Sequence, residues 1–191
     1  MKFFDAILGK SSLPKPKVDG LFAISTAAVT LEANLGLRPG KRAGICFKPF
    51  ESSRYESASA EIQELLQYSC KETGTCSTIQ KDEYGYLWVL LEDKDFEDLV
   101  TNIHLVSGQL IESGFGERLL CAVYRFQKAE EEQDVVYWIF SFKEGNYYPF
   151  VPKPNRGRDS PIEFRLRSVM GKELPIEKNE EKLYPLWGMP L

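Results

Sequence analysis

The chain predicts an α+β fold: an antiparallel β-sheet with about three helices packed mainly on one face. Two observations carry this expectation. Amphipathic helical stretches are separated by hairpin-like pairs of strands, not by the strict strand–helix alternation of a parallel α/β sheet. In addition, seven aromatics fall within the fourteen residues from Tyr137 to Phe150, where Trp138, Phe140 and Phe142 alternate with Tyr137, Ile139 and Ser141 around a turn at Glu144-Gly-Asn146. Alternation of that kind marks a β-hairpin with one bulky face turned inward.

Taken in order, the first segment is short and amphipathic. Phe3, Phe4, Ile7 and Leu8 share a helical face within Met1–Leu8, and Gly9 stops the pattern. The stretch Lys10-Ser-Ser-Leu-Pro-Lys-Pro-Lys17 follows as an extended, basic linker. Residues 1–17 are therefore read as an N-terminal peptide and linker, and 18–191 as a single α+β domain with a polar C-terminal tail. So short a helix needs a surface to lie against: its own domain, a partner, or an anionic membrane, where binding would be weak and reversible.

The first core helix is expected from about Leu21 to Leu35, with Asp19 as N-cap, Ile24, Ala28, Leu31 and Leu35 as its stripe, and Gly36 closing it. Arg38-Pro-Gly40 reads as a turn into a strand at Ala43–Phe47. A second helix is expected from about Ser59 to Thr73. Thr75–Lys81 and Gly85–Leu91 form a hairpin around Asp82-Glu-Tyr84. The third helix, about Asp95 to Ser113, has the clearest stripe: Phe96, Leu99, Val100, Ile103, Val106 and Leu110. Leu119–Phe126 reads as a strand, the charged run Lys128–Gln133 as a loop, and Ile162–Val169 as a further strand. The last stretch ends in Tyr184-Pro-Leu-Trp-Gly-Met-Pro190.

Composition narrows the function classes. The 191 residues are 43% hydrophobic and 27% charged, ordinary for a soluble globular chain, and a net charge of −4 argues against non-specific nucleic-acid binding. No window approaches the roughly 20 apolar residues of a membrane span. Asp5 interrupts the only apolar N-terminal segment, so no secretory signal is expected. Cys46, Cys70, Cys76 and Cys121 form no C-x-x-C pair and read as reduced intracellular thiols, with no zinc site expected from them and His104, the single histidine.

No catalytic constellation is present, and no cofactor or metal is expected. The acidic run Glu92-Asp-Lys-Asp-Phe-Glu-Asp98 has the chemistry for a hard cation, which keeps a metal-dependent hydrolase as an alternative. Its position at a helix start is explained equally by Asp95 as N-cap and by Glu97 and Asp98 facing the positive end of the helix dipole. Glu130-Glu-Glu132 and Asp134 read as a solvated loop. Lys153, Arg156, Arg158, Arg165 and Arg167 form a basic cluster. On a strand, Arg165 and Arg167 would project together opposite Phe164 and Leu166, either as an anion or acidic-partner patch or as a solubilising edge. Tyr and Trp beside Arg are the residue types that anchor interfaces. Tyr137, Tyr147, Tyr148, Arg156, Arg158, Arg165 and Arg167 are accordingly the candidate partner-binding residues.

Several segments in the same order resemble one family: Phe3-Phe-Asp-Ala-Ile-Leu-Gly9, Ala28-Val-Thr-Leu-Glu-Ala33, Tyr84-Gly-Tyr-Leu-Trp-Val-Leu-Leu-Glu-Asp93, Phe96-Glu-Asp-Leu-Val100, Tyr137-Trp-Ile-Phe-Ser-Phe142 with Tyr148-Pro-Phe150, and Tyr184-Pro-Leu-Trp187. The chain is similar in these to the phage-shock-protein-A-associated protein B family. The resemblance implies a small cytosolic accessory protein linked with phage shock protein A, a coiled-coil membrane-remodelling protein of envelope stress responses, and brings no catalytic residues to transfer. With the aromatic hairpin, the arginines and the amphipathic N-terminal peptide, the expectation is a non-enzymatic interaction protein of the membrane stress response, cytoplasmic and peripheral at the inner face of the membrane.

Overall fold

A computed structural model describes residues 15–49, 53–128 and 135–191. Its centre is one six-stranded sheet built from β1 (Leu37–Phe47), β2 (Cys76–Lys81), β3 (Leu87–Glu92), β4 (Leu119–Lys128), β5 (Val135–Ser141) and β6 (Asn146–Phe150). The strands lie in the order β2-β3-β1-β4-β5-β6, and every neighbouring pair is antiparallel. Four α-helices accompany it: α1 (Ala23–Leu35), α2 (Ser53–Thr73), α3 (Phe96–Glu112) and α4 (Ser160–Met170). The fold is the α+β class expected, with one helix more than the sequence suggested.

The helices cover one face of the sheet. Ile45, Val89, Tyr124, Phe126, Trp138 and Phe140 from the strands meet Ile24 and Leu31 of α1, Leu99, Ile103 and Val106 of α3, Ile62 and Leu66 of α2, and Leu166 and Met170 of α4 in one buried cluster. The alternation read in the aromatic hairpin therefore points Trp138 and Phe140 inward as expected; both are fully buried. On α3 the stripe is equally direct, and Asp95 caps the helix by accepting the Glu97 N–H at 2.9 Å.

The opposite face is also covered. Cys46, Trp88, Cys121, Val123, Tyr137, Ile139, Tyr148 and Phe150 form a second buried cluster, closed by Leu183, Leu186, Trp187, Met189 and Leu191 of the C-terminal segment. The tail that reads as polar thus supplies apolar side chains that pack on this face.

Three local expectations are corrected. Helix α1 starts at Ala23 with Phe22 at its N-cap position and no side-chain cap, so Asp19 does not fill that role; Gly36 does close it, at φ 64°. Arg38-Pro-Gly40 lies inside β1, which slips register against β4 between Pro39 and Ala43. A proline without an N–H and a glycine packed against the Arg125 carbonyl suit such a bulge. The third correction has the largest consequence: residues 160–170 are helix, not strand. Asp159 accepts the Ile162 N–H and Pro161 stands in the first turn, which together start a helix. Glu163, Leu166 and Met170 then form its buried side.

Candidate functional site

The helical state of 160–170 redistributes the candidate arginines. Arg158, just before the helix, is held inward: its Nε and Nη2 reach Glu163 at 2.9 and 2.6 Å, and its Nη1 donates to the Leu183 carbonyl at 2.9 Å. Arg167 pairs with Glu180 at 3.3 Å and lies over the Phe164 ring, 5.9 Å from its centre. Arg165 and Arg167 therefore do not project side by side. Arg156 sits at positive φ in the turn between two short strands, β7 (Pro152–Lys153) and β8 (Gly157–Arg158), and is exposed. Arg156 and Arg165 are the two members of the cluster that make no ion pair among the described residues.

At 100° per residue, Phe164, Ser168, Arg165, Val169 and Ile162 succeed one another around the outer side of α4. Phe164 is 66% exposed, and Ile162 and Val169 are each 40% exposed. Ile162 and Arg165 also line a groove of about 310 Å³ with Leu35, Leu37 and Val135. This is an apolar, positively charged helix face. Sequence reading missed it because alternation assigned Phe164 to the core.

The tyrosines expected at an exposed rim are inside the fold. Tyr147 is fully buried and its hydroxyl donates to the Leu21 carbonyl, tying β6 to the start of α1. The Tyr148 hydroxyl donates to the Tyr184 carbonyl at 3.0 Å, and that of Tyr137 to the main-chain oxygen of Leu191 at 3.1 Å. Burial pushes all three phenols above their ordinary range. The expected contact rim is thus corrected: Tyr137 and Tyr148 lie on the face that the C-terminal segment covers, and Tyr147 points to the opposite face, into the core beneath the helices. Phe3, Phe4, Ile7 and Leu8 lie outside the described residues.

The acidic run is dispersed. Glu92 pairs with Arg42 at 3.2 Å, Asp93 accepts from the Thr75 hydroxyl and the Asp95 N–H, and Asp95 caps α3. Among the described residues no group of three or more His, Cys, Asp or Glu is placed to hold a metal ion. His104 is half-buried, with its ring 4.6 Å from that of Phe22.

Between the sheet's second face and the C-terminal segment lies a cavity of about 610 Å³. Cys46 and Cys121 are direct neighbours across β1 and β4 and both line it. Contact with the Cys121 thiol, and then burial, pushes the Cys46 thiol far above its ordinary value. Its aromatic lining comes from Tyr84, Tyr86, Trp88, Tyr148, Tyr184 and Trp187. The sequence held no signal for this cleft, since it depends on strand pairing and on the path of the tail.

A family model described as PspA associated protein B matches residues 1–191. No curated protein and no solved structure matches the chain.

Proposed function

The chain belongs to the PspA-associated protein B family, and from that premise we propose that it is a non-enzymatic accessory protein that docks on a PspA-like coiled-coil protein through the outer face of α4. The observation that carries this reading is the exposed set Ile162, Phe164 and Val169 on one short helix, with Arg165 among them and without an ion pair. An apolar strip flanked by a free guanidinium suits a partner helix that presents an apolar ridge beside carboxylates, the pattern a coiled coil carries along its flanks. Arg156, in the turn that leads into α4, adds to the same charge.

Among the described residues no helix is long and apolar enough to cross a membrane. In the reading proposed here the partner makes the contact with the membrane, and this protein is a peripheral component at its inner surface.

Coexpression and co-purification with the PspA-like protein tests the reading. Wild-type protein should be retained, whereas Phe164→Asp and Arg165→Glu should each be lost while keeping the wild-type circular dichroism spectrum. Retention of both variants would remove α4 as the docking face. Failure of the wild type to co-purify would remove the direct complex. Sedimentation of the protein alone with phosphatidylglycerol vesicles, abolished by Arg165→Glu, would assign the same face to lipid instead.

A further inference from the structure

The cavity on the sheet's second face lies apart from α4 and is not used by the reading above. Part of its aromatic lining is held by hydrogen bonds and ring contacts. Trp88 donates its indole N–H to Asp82 at 2.8 Å, and the same carboxylate accepts the main-chain N–H groups of Tyr84 and Tyr86 at 2.9 Å each. The Tyr148 hydroxyl holds the main chain at Tyr184, and the Trp187 ring meets Phe150 edge to face at 5.0 Å. Tyr84 and Tyr184 are 56% and 62% exposed and Tyr86 is 37% exposed.

The polar atoms of this cleft are unequal in kind. The hydroxyls of Tyr84, Tyr86 and Tyr184 and the indole N–H of Trp187 have no hydrogen-bond partner among the described residues. Asp82, by contrast, is spent on its own hairpin. The exposed charges that line the cleft, Lys48, Lys143 and Glu117, do not favour a strongly charged ligand of either sign. The cleft therefore offers flat rings, one indole N–H and three phenolic O–H groups able to donate to the acceptors of a ligand.

We propose that the cleft bounded by Tyr84, Tyr86, Tyr184 and Trp187 binds an extended proline-containing peptide in the polyproline II conformation. Such a backbone has no internal hydrogen bonds, displays its carbonyls outward as acceptors and carries few N–H groups that need acceptors in return. Prolyl rings fill the spaces between aromatic faces, and the conformation costs little entropy to fix. One turn of the helix, three residues, spans about 9 Å. A prolyl ring already forms part of this wall: Pro16 lines the cavity and packs so closely on Gly116 that a Cβ there would come within 2.9 Å of its Cγ. An alkyl chain of similar volume would leave the four donors desolvated and unpaired.

The test uses the full chain, labelled with ¹⁵N, and decaproline as the probe. The Trp187 indole N–H resonance should move saturably, while that of Trp138, fully buried on the opposite side of the sheet, should stay in place. Tyr84→Phe and Tyr184→Phe keep the rings and remove the hydroxyls, and each should weaken binding by roughly 2- to 10-fold, the value of one net hydrogen bond. Phe164→Asp should leave the titration unchanged, which separates this site from the α4 face. The proposal is overturned if millimolar decaproline moves nothing, if an alanine-based peptide or laurate shifts Trp187 equally, or if the two tyrosine variants bind as the wild type does.

Discussion

Arg158 and Glu163 form a clamp inside the fold: Nη2 and Oε2 are 2.6 Å apart, and the two side chains are 25% and 5% exposed. Glu163 also accepts the Val151 N–H at 2.9 Å, so one carboxylate joins the end of the aromatic hairpin, the β7–β8 turn and α4. Glu163→Ala removes the partner of a partly buried guanidinium and of a buried N–H at once. Breaking a buried pair from one side costs about 3–5 kcal/mol, and partial exposure of Arg158 places the expected loss toward the lower figure. Urea unfolding monitored by tryptophan fluorescence measures it. A loss below about 1 kcal/mol would show that the pair is not a structural clamp.

Two neighbours on α4 should respond in opposite ways. Leu166 is 3% exposed and packs in the main core, so Leu166→Ala should lower stability by about 2–5 kcal/mol. Phe164 is largely exposed, and Phe164→Ala should stay within about 0.5 kcal/mol of the wild type. Thermal unfolding of the two variants decides between this helix and the strand pairing that the sequence suggested, in which both side chains would face the core. Equal, large losses would restore the strand.

That reversal shows how far the sequence reaches. Ile162-Glu-Phe-Arg-Leu-Arg167 alternates as a strand does, yet Asp159-Ser-Pro161 is a helix start, and the start signal decides the structure. The stripe of α3, the cap at Asp95 and the inward face of Trp138 and Phe140 are legible because period and capping are local properties. The cover over the second face is not local. Leu183, Leu186, Trp187, Met189 and Leu191 belong to no helix or strand, and nothing in their order says which surface they meet. For that reason Tyr137 and Tyr148 read as an exposed rim when they are buried. The pairing of Cys46 with Cys121 was hidden in the same way, since it follows from which strands become neighbours.

Acid should weaken the fold in a defined window. The Asp159 carboxyl lies below its ordinary 3.8 because Lys153 and the Ile162 N–H bond to it. Burial pushes Asp93 up, but the Thr75 hydroxyl and the main-chain N–H groups of Asp95 and Lys94 outweigh it and hold the group low. Glu144 is held below 4.5 first by its bond to Lys182. Each binds a proton more weakly folded than unfolded, so its contribution is complete above the unfolded value and is lost as pH falls through the folded one. Lys182 is raised above 10.5, chiefly by its bond to Glu144, so its contribution is complete below that value and disappears only as pH rises beyond it. Urea midpoints should therefore be flat between about pH 5 and 9 and fall below about pH 4. Asp159→Asn retains a capping side chain and loses the charge, so its midpoint should fall less steeply in acid than that of the wild type. An unchanged acid slope in this variant would contradict the role given to Lys153.

The thiols should divide sharply by reactivity. Only the thiolate attacks an electrophile, and contact with Cys121 together with burial keeps Cys46 protonated at neutral pH. Cys46 and Cys121 are buried, whereas Cys76 is exposed on the outermost strand β2. In a Cys70→Ser background, which removes the fourth cysteine, N-ethylmaleimide should modify Cys76 rapidly and leave the other two unmodified over the same period. Adding urea should release both together, since β1 and β4 are adjacent central strands and separate only when the sheet unfolds. Peptide mass mapping after timed quenching reads all three sites in one experiment. Modification of Cys46 at the rate of Cys76 in native buffer would mean that burial against the second face does not shield this thiol, and the protection assigned to it would have to be abandoned.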